Sequence, residues 1–295
     1  MILDTLKSIL IDPPPGMAFE VSEAGIAAAR IGHHTEIDFR PLAPGVLAVS
    51  PLKENVLDEA AFSAAVKALA AAHSARKGKD AALILPDFST RTTVLDFDTF
   101  PTDAEEQLAL IRFRLKRSVP FDVETAAVSY FAQAGAKRVD VVAVMAPREI
   151  VTRFEAPFRA AGFNPGLVTT SSLAALDLAP EGGLTMVAKL TGKSLTLLVR
   201  DKATLKLVRC LELPSTELED IIAVLVPTFV YMEDNLGGRA EKLLLCGFEA
   251  RTEEAKRRFE QELAVELDEL RSPLAVPGEH NAGLLGYLRS VARNN

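Results

Sequence analysis

The chain has 295 residues, 48% hydrophobic and 25% charged, with no tryptophan; this is the composition of a globular protein with a sizeable core, and it excludes a disordered or low-complexity chain. Its 40 acidic against 33 basic residues give a formal net charge of -7, so the mean field repels nucleic acid and anionic bilayers alike. Two cysteines, Cys210 and Cys246, and four histidines show no metal-ligand spacing, which argues against structural zinc and fits a reducing cytoplasm.

From the amino terminus, "MILDTLKSILIDPPPG" lacks the basic region and cleavage site of a signal peptide. Leu3, Leu6 and Leu10 fall on one helical face before the triple proline, and with one lysine for lipid attraction that face is expected to dock on the body of the protein. Residues 17–31 predict two strands around a turn near Ala24-Gly25, and His33-His34 read as a turn rather than a ligand pair. Strand-like pieces over 36–50 are broken by Pro41, Pro44 and Pro51. An Ala-rich helix is predicted from Asp58 to Ala75, with Phe62, Val66 and Leu69 on one side. The polar "ARKGKD" after it is a candidate boundary.

"AALILPDFSTRTTVLDFD" predicts two strands broken at Pro86. Asp96 and Asp98 alternate on the second and read as an edge strand showing charge to water. Pro101-Thr102 precede Glu105 at capping-box spacing, which starts a helix whose buried stripe is Leu108, Ile111 and Leu115. Arg112, Arg114, Lys116 and Arg117 crowd its last turns before Pro120. That basic end is either a solvated terminus suited to the helix dipole or a docking patch for an acidic partner. "ETAAVSYFAQAG" and "RVDVVAVMA" predict a further strand pair, and "PREIVTRFEAPFRAAG" a helix whose continuity is challenged by Pro157.

In "MVAKLTGKSLTLLVRDKATL", Gly192-Lys193-Ser194 has the look of a phosphate-binding Walker loop. The glycine that such a loop needs five residues earlier is Val187, and aliphatic runs around a charged turn at Arg200-Asp201-Lys202 predict an antiparallel hairpin instead. A helix from Ser215 to Leu236 follows, kinked at Pro227 and closed by Gly237-Gly238. Its run "IIAVLVPTFVYM" is too short for a bilayer. Then come the strand "KLLLCG", a charged helix from Thr252 to Leu263, a short strand near Val265 and a terminal helix after Asn281. Both halves begin with a hairpin and proceed to helix and strand, a weak internal symmetry.

Several of these stretches, taken in order, resemble PilM-type proteins of the type IV pilus assembly platform. They are "ALILPDFSTRTTVLDF", the helix ending in "SVPFDVETAAVSY", and "VVAVMAPREIVTRFEAPFRAAGFNPGLVTTSSLAALDL". Val119-Pro120-Phe121 stands where that family has Ile-Pro-Phe, Pro147 to Val151 at its helix start, and Ala160-Ala161-Gly162 at the helix end. "IAVLVPTFVYMEDNLG" resembles its long helix, and the likeness spans most of the chain, from residue 17 to residue 272. The resemblance implies an α/β protein with mixed sheets and the actin-like, ribonuclease-H-like fold of two lobes with an inserted subdomain in the first. The implied division is residues 1–80 for the start of the first lobe, 81–144 for the insert, 145–182 for the rest of that lobe, and 183–295 for the second lobe with its C-terminal helix.

Fold alone does not give function, so the nucleotide site the resemblance implies is compared residue by residue. Actin-like sites use two Asp-x-Gly hairpins, whose acids hold magnesium and whose glycines let backbone amides approach phosphate. The first falls on Glu20-Val21-Ser22, where the carboxylate survives and the glycine does not. The second falls on Lys189-Leu190-Thr191, with a cation for the acid and a β-branched residue for the glycine. The glycine-rich adenosine loop falls on Gly247-Phe248-Glu249-Ala250, where Phe248 and Glu249 put bulk and negative charge against the nucleoside.

The expectation is a degenerate nucleotide cleft at Glu20, Ser22, Lys189, Thr191, Gly247, Phe248 and Glu249, with no catalytic residue, no metal and no cofactor, Mg-ATP being disfavoured. The resemblance implies a pseudo-ATPase scaffold, cytoplasmic and peripheral to the inner membrane through its partners. It would bind the cytoplasmic tail of a PilN-type membrane protein in a groove beside the insert, together with other platform and motor proteins. The alternatives are the cytoplasmic domain of a GspL-type type II secretion protein and an active actin-like ATPase.

Overall fold

The structure, a computed structural model, describes residues 14–31, 35–52, 54–73, 79–134 and 138–294. The expected helix with Leu3, Leu6 and Leu10, and the His33-His34 turn, lie outside the described residues.

The first sheet has the order β3-β2-β1-β4-β8. It is built from β1 (Met17–Ser22), β2 (Gly25–Arg30), β3 (Ile37–Pro41), β4 (Lys79–Leu85) and β8 (Phe163–Thr170). The tight connections make β1–β2 and β2–β3 antiparallel, whereas β4 and β8 join in parallel after helical crossovers. β1 is buried along its whole length because both of its faces are covered.

One face carries α1 (Glu59–Ala72) and α3 (Arg148–Ala160). Asp58 caps α1 by accepting from the Ala61 amide, and Phe62, Val66 and Leu69 are buried as expected. Phe19 meets Phe158 and Phe163 at ring-centroid distances of 4.9 and 4.8 Å; burial of each such ring contributes about 1.5–3 kcal/mol. Pro157 sits in the last turn of α3 without breaking it.

The second sheet repeats the plan with the order β11-β10-β9-β12-β13. Its strands are β9 (Leu184–Thr191), β10 (Ser194–Asp201), β11 (Thr204–Glu212), β12 (Lys242–Cys246) and β13 (Glu266–Glu269). The expected hairpin is thus the start of a three-stranded meander. Gly192 and Lys202, with φ of 54° and 52°, turn the chain at its two ends. α5 (Leu218–Tyr231) and α6 (Thr252–Leu263) cover the outer face.

Two helices lie between the sheets, the short α4 (Ser171–Ala175) and α7 (Ala282–Asn294). Leu284, Tyr287 and Leu288 of α7 pack with Ala18, Ala82 and Ile84 of the first sheet, while Ala282 and Leu285 pack with Val187, Leu198 and Leu244 of the second. α7 and α4 touch so closely that a Cβ on Gly286 would lie 2.0 Å from the Ala174 carbonyl oxygen. Glycine is required there.

The inserted unit is a three-stranded antiparallel sheet, β5 (Arg91–Phe97), β7 (Val139–Ala146) and β6 (Ala127–Ala134), in the order β5-β7-β6, backed by α2 (Ala104–Leu115). The boundary expected at residue 81 is displaced, because residues 79–85 are β4 and pair with β1 and β8 in the first sheet. α2 is capped by Asp103, whose carboxylate accepts from the Glu105 and Glu106 amides, rather than by Thr102. Ile111 and Leu115 are buried and Leu108 is not. Asp96 on the edge strand β5 and Asp98 just past its end share Arg138, at 2.7 and 2.9 Å.

Candidate functional site

The β1–β2 turn and the β9–β10 turn face each other across the gap between the lobes. A cavity of about 400 Å³ lies there, with Ser22, Glu23, Asp87, Thr191, Gly192 and Glu279 among its lining residues. Glu20 stands in β1 opposite Ala27 and Ile84, and Lys189 stands in β9 opposite Cys246 of β12. Both are 1% exposed.

Lys189 is the cation of a buried network. Its Nζ donates to Thr191 Oγ1 at 2.6 Å and lies 3.4 Å from Asp87 Oδ2. Asp87, just past β4, also accepts from the Ser172 amide at 2.8 Å and the Ser172 hydroxyl at 2.6 Å. Glu20 accepts from the Ser171 hydroxyl and, at 2.7 Å, from the Leu284 amide. Each carboxylate oxygen therefore has a donor, as a buried charge requires.

Burial by itself would lower the Lys189 pKa, but the Asp87 and Glu20 charges more than offset it, so the ammonium is raised and kept. Burial raises Glu20, and the opposing pull of Lys189, Ser171 and Leu284 does not cancel it. The position between the Glu20 and Asp87 carboxylates is filled by a side-chain ammonium. A lysine supplies three donors and no acceptor, so it cannot itself coordinate a metal.

The β9–β10 turn is met in the same way by the chain itself. The loop from Leu270 to Asn281 crosses the cleft, and Glu279 Oε2 accepts from the Gly192 amide at 3.2 Å. Thr191 Oγ1 donates to the Glu279 carbonyl at 3.4 Å. His280 stacks on Phe39 of β3, with centroids 5.7 Å apart, which ties the same loop to the first lobe. Asn281 holds the loop's turn, accepting from the Gly278 amide at 2.7 Å and donating to the Val276 carbonyl at 3.1 Å. A carboxylate thus occupies the backbone amide that an anionic ligand would need.

Ser22 turns its hydroxyl onto the Gly25 carbonyl at 3.0 Å. Gly247 keeps the left-handed geometry of a close-approach glycine, with φ of 79° and a hypothetical Cβ 2.0 Å from the Leu190 carbonyl oxygen. The expected role of Phe248 needs correction. Its ring points away from the cleft into the second-lobe core, 5.8 Å from Phe259, because the turn at Gly247 reverses the strand's alternation. Glu249 is exposed and lines a second cavity of about 470 Å³ with Gly247, Thr252 and Gly278.

Sequence reasoning named Glu20 and Lys189 but missed Asp87, Ser171, Ser172 and Glu279. Asp87 follows a Leu-Pro strand end, which was the available signal. Among the described residues no group of three or more His, Cys, Asp or Glu is placed to hold a metal ion.

Neither a protein-family model nor a curated protein sequence matches the chain. Solved structures do. A PilM-PilN type IV pilus biogenesis complex contains a chain similar to this one with a TM-score of 0.77 and 17% identity, over 95% of this chain and 99% of that chain. A Bacteroides thetaiotaomicron protein with actin-like ATPase fold and unknown function is similar at a TM-score of 0.57 and 14% identity, over 92% and 94%. The cytoplasmic domain of EpsL, an inner membrane component of the type II secretion system of Vibrio cholerae, is similar at 0.53 and 15%, over 95% and 94%. The fold is therefore actin-like, with mixed α/β sheets.

Proposed function

We propose that this chain is a pseudo-ATPase scaffold of a type IV pilus assembly machine, holding the cytoplasmic tail of a PilN-type inner-membrane protein and coupling the platform to its motor by protein contacts. The observation that carries the scaffold reading is Lys189, buried against Asp87 beside Glu20, where a nucleotide-hydrolysing relative would hold its metal. The likeness to the PilM-PilN complex over nearly the whole of both chains supplies the pilus context. Location in the cytoplasm is part of the same proposal; among the described residues no helix is long and apolar enough to cross a membrane.

The groove for the tail is a cavity of about 500 Å³ between the inserted sheet, β8, α4 and the β10–β11 turn. Tyr130, Phe131, Val144, Leu167, Leu173 and Leu205 give it an apolar lining, and Arg200 and Asp177 stand in the same wall as polar handles. β6 pairs with β7 on one side only. An extended tail can therefore add to its open edge and seat alternate side chains in the groove. The similarity to cytoplasmic EpsL favours a type II secretion partner less, at the lower TM-score of 0.53.

The test is fluorescence polarisation with labelled PilN-type and GspL-partner tail peptides. The PilN-type tail binds, and Phe131→Glu, at a residue 54% exposed in the free protein, abolishes binding without loss of fold. Absence of affinity for the PilN-type tail sinks the reading.

A further inference from the structure

α2 has two apolar faces, and only one is covered. Ile111 and Leu115 pack on Phe97, Val141 and Met145 of the inserted sheet. On the opposite side Phe113 is 76% exposed. It lines a concavity of about 360 Å³ with Leu108, Ala109, Arg112 and Lys116, closed at one end by Glu124.

The charge around that concavity runs against the rest of the molecule. Arg112, Arg114, Lys116 and Arg117 put four cations into six positions of a chain whose net charge is -7. Arg114 is 3.6 Å from Asp96. Among the described residues Arg112, Lys116 and Arg117 form no ion pair, although Lys116 lies in the field of Asp122. Arg112 itself lines the concavity, and its Nε is buried without a hydrogen-bond partner.

We infer that this face of α2 docks an acidic segment of another protein that carries one large apolar side chain. The apolar side chain packs between Phe113 and Leu108, and the segment's carboxylates meet Arg112, Lys116 and Arg117. An exposed aromatic beside cations is the composition of an interface anchor. A bilayer fits less well, because a flat surface cannot fill the hollow.

The experiment uses the full chain and a short fluorescein-labelled peptide of Glu and Asp with a central Leu-Phe pair. Two comparison peptides replace Leu-Phe by Ala-Ala and the acids by lysines. Binding is expected for the first peptide alone, weakened by salt, and roughly tenfold weaker in Phe113→Ser. Lys116→Glu with Arg117→Glu removes it. Phe113 is exposed, so the melting curve of Phe113→Ser matches the parent; Phe131→Glu leaves this binding intact, which separates it from the tail groove. No affinity for the acidic peptide, or affinity unchanged by Phe113→Ser, overturns the inference. So does co-sedimentation with phosphatidylglycerol vesicles in place of peptide binding, or self-association lost in Phe113→Ser, which would make a second copy the occupant.

Discussion

Lys189→Met keeps the length and apolar stem of the buried lysine and removes its charge. In the native cleft the ammonium lies 3.4 Å from Asp87 and adjoins Glu20, and both its own side chain and that of Asp87 are largely withdrawn from water, at 1% and 8% exposure. Without it the Glu20 and Asp87 carboxylates stand buried in one another's field. Breaking a buried ion pair on one side costs about 3–5 kcal/mol, because the remaining charge is left uncompensated. The sign of the pH dependence follows from Glu20, which burial already raises above its ordinary 4.5. A raised carboxyl contributes stability that is complete below its unfolded value and is lost as pH rises through its folded value. The variant raises Glu20 further, so the deficit is largest at neutral pH and shrinks as pH falls through the raised value of Glu20 in the variant, before the ordinary carboxylate value is reached. Urea unfolding followed by far-UV circular dichroism at about pH 7.5 and about pH 4.5 measures it. Adding Glu20→Gln to Lys189→Met recovers part of the loss at neutral pH. An equal deficit at both pH values, with no recovery in the double variant, would show that packing rather than charge was lost and would refute the balanced-cleft reading.

Isothermal titration with Mg-ATP is expected to give no binding heat, and the denatured preparation to release no nucleotide, because Lys189 and Glu279 meet the cleft's acids and amide from within. Tight binding would return a nucleotide-gated switch. Gly247→Ala forces a Cβ to within 2.0 Å of the Leu190 carbonyl oxygen at a φ of 79° and is expected to destabilise the fold by at least about 2 kcal/mol; an unchanged thermal midpoint would show that the β12 turn relaxes freely.

How much of this was legible in the sequence depends on whether the information was local. Hairpins, helix faces and the Pro157 and Pro227 helices were readable because strand alternation, helical period and turn residues act within a few positions. Glu20 and Lys189 were also readable, as departures from a hairpin pattern. Their partners were not. Lys189 meets Asp87 from 102 residues away, Glu20 meets Ser171 from 151 and the Leu284 amide from 264, and no periodicity reports contacts made by crossovers between lobes. The placement of Phe248 was misjudged for a related reason. Its direction is set by the backbone at Gly247, whose positive φ sends the next side chain into the core.

The distant contacts change what the substitutions mean. Read in the sequence alone, Lys189 for an acid and Thr191 for a glycine are losses. In the structure Lys189 neutralises two acids, Thr191 ties it to the Glu279 carbonyl, and the Glu279 side chain takes the Gly192 amide. The same contacts link the β9–β10 hairpin of the second lobe to Asp87 at the end of β4, while His280 on Phe39 links the crossing loop to β3. Side chains thus bridge the two lobes. A ligand shifts a conformational equilibrium only by its differential affinity for the two states. A bridge made of covalently attached groups is always present and favours one lobe arrangement continuously. That arrangement keeps the cavity beside the inserted sheet formed, since α4, whose Ser171 and Ser172 hold Glu20 and Asp87, also supplies Leu173 and Ala174 to its wall.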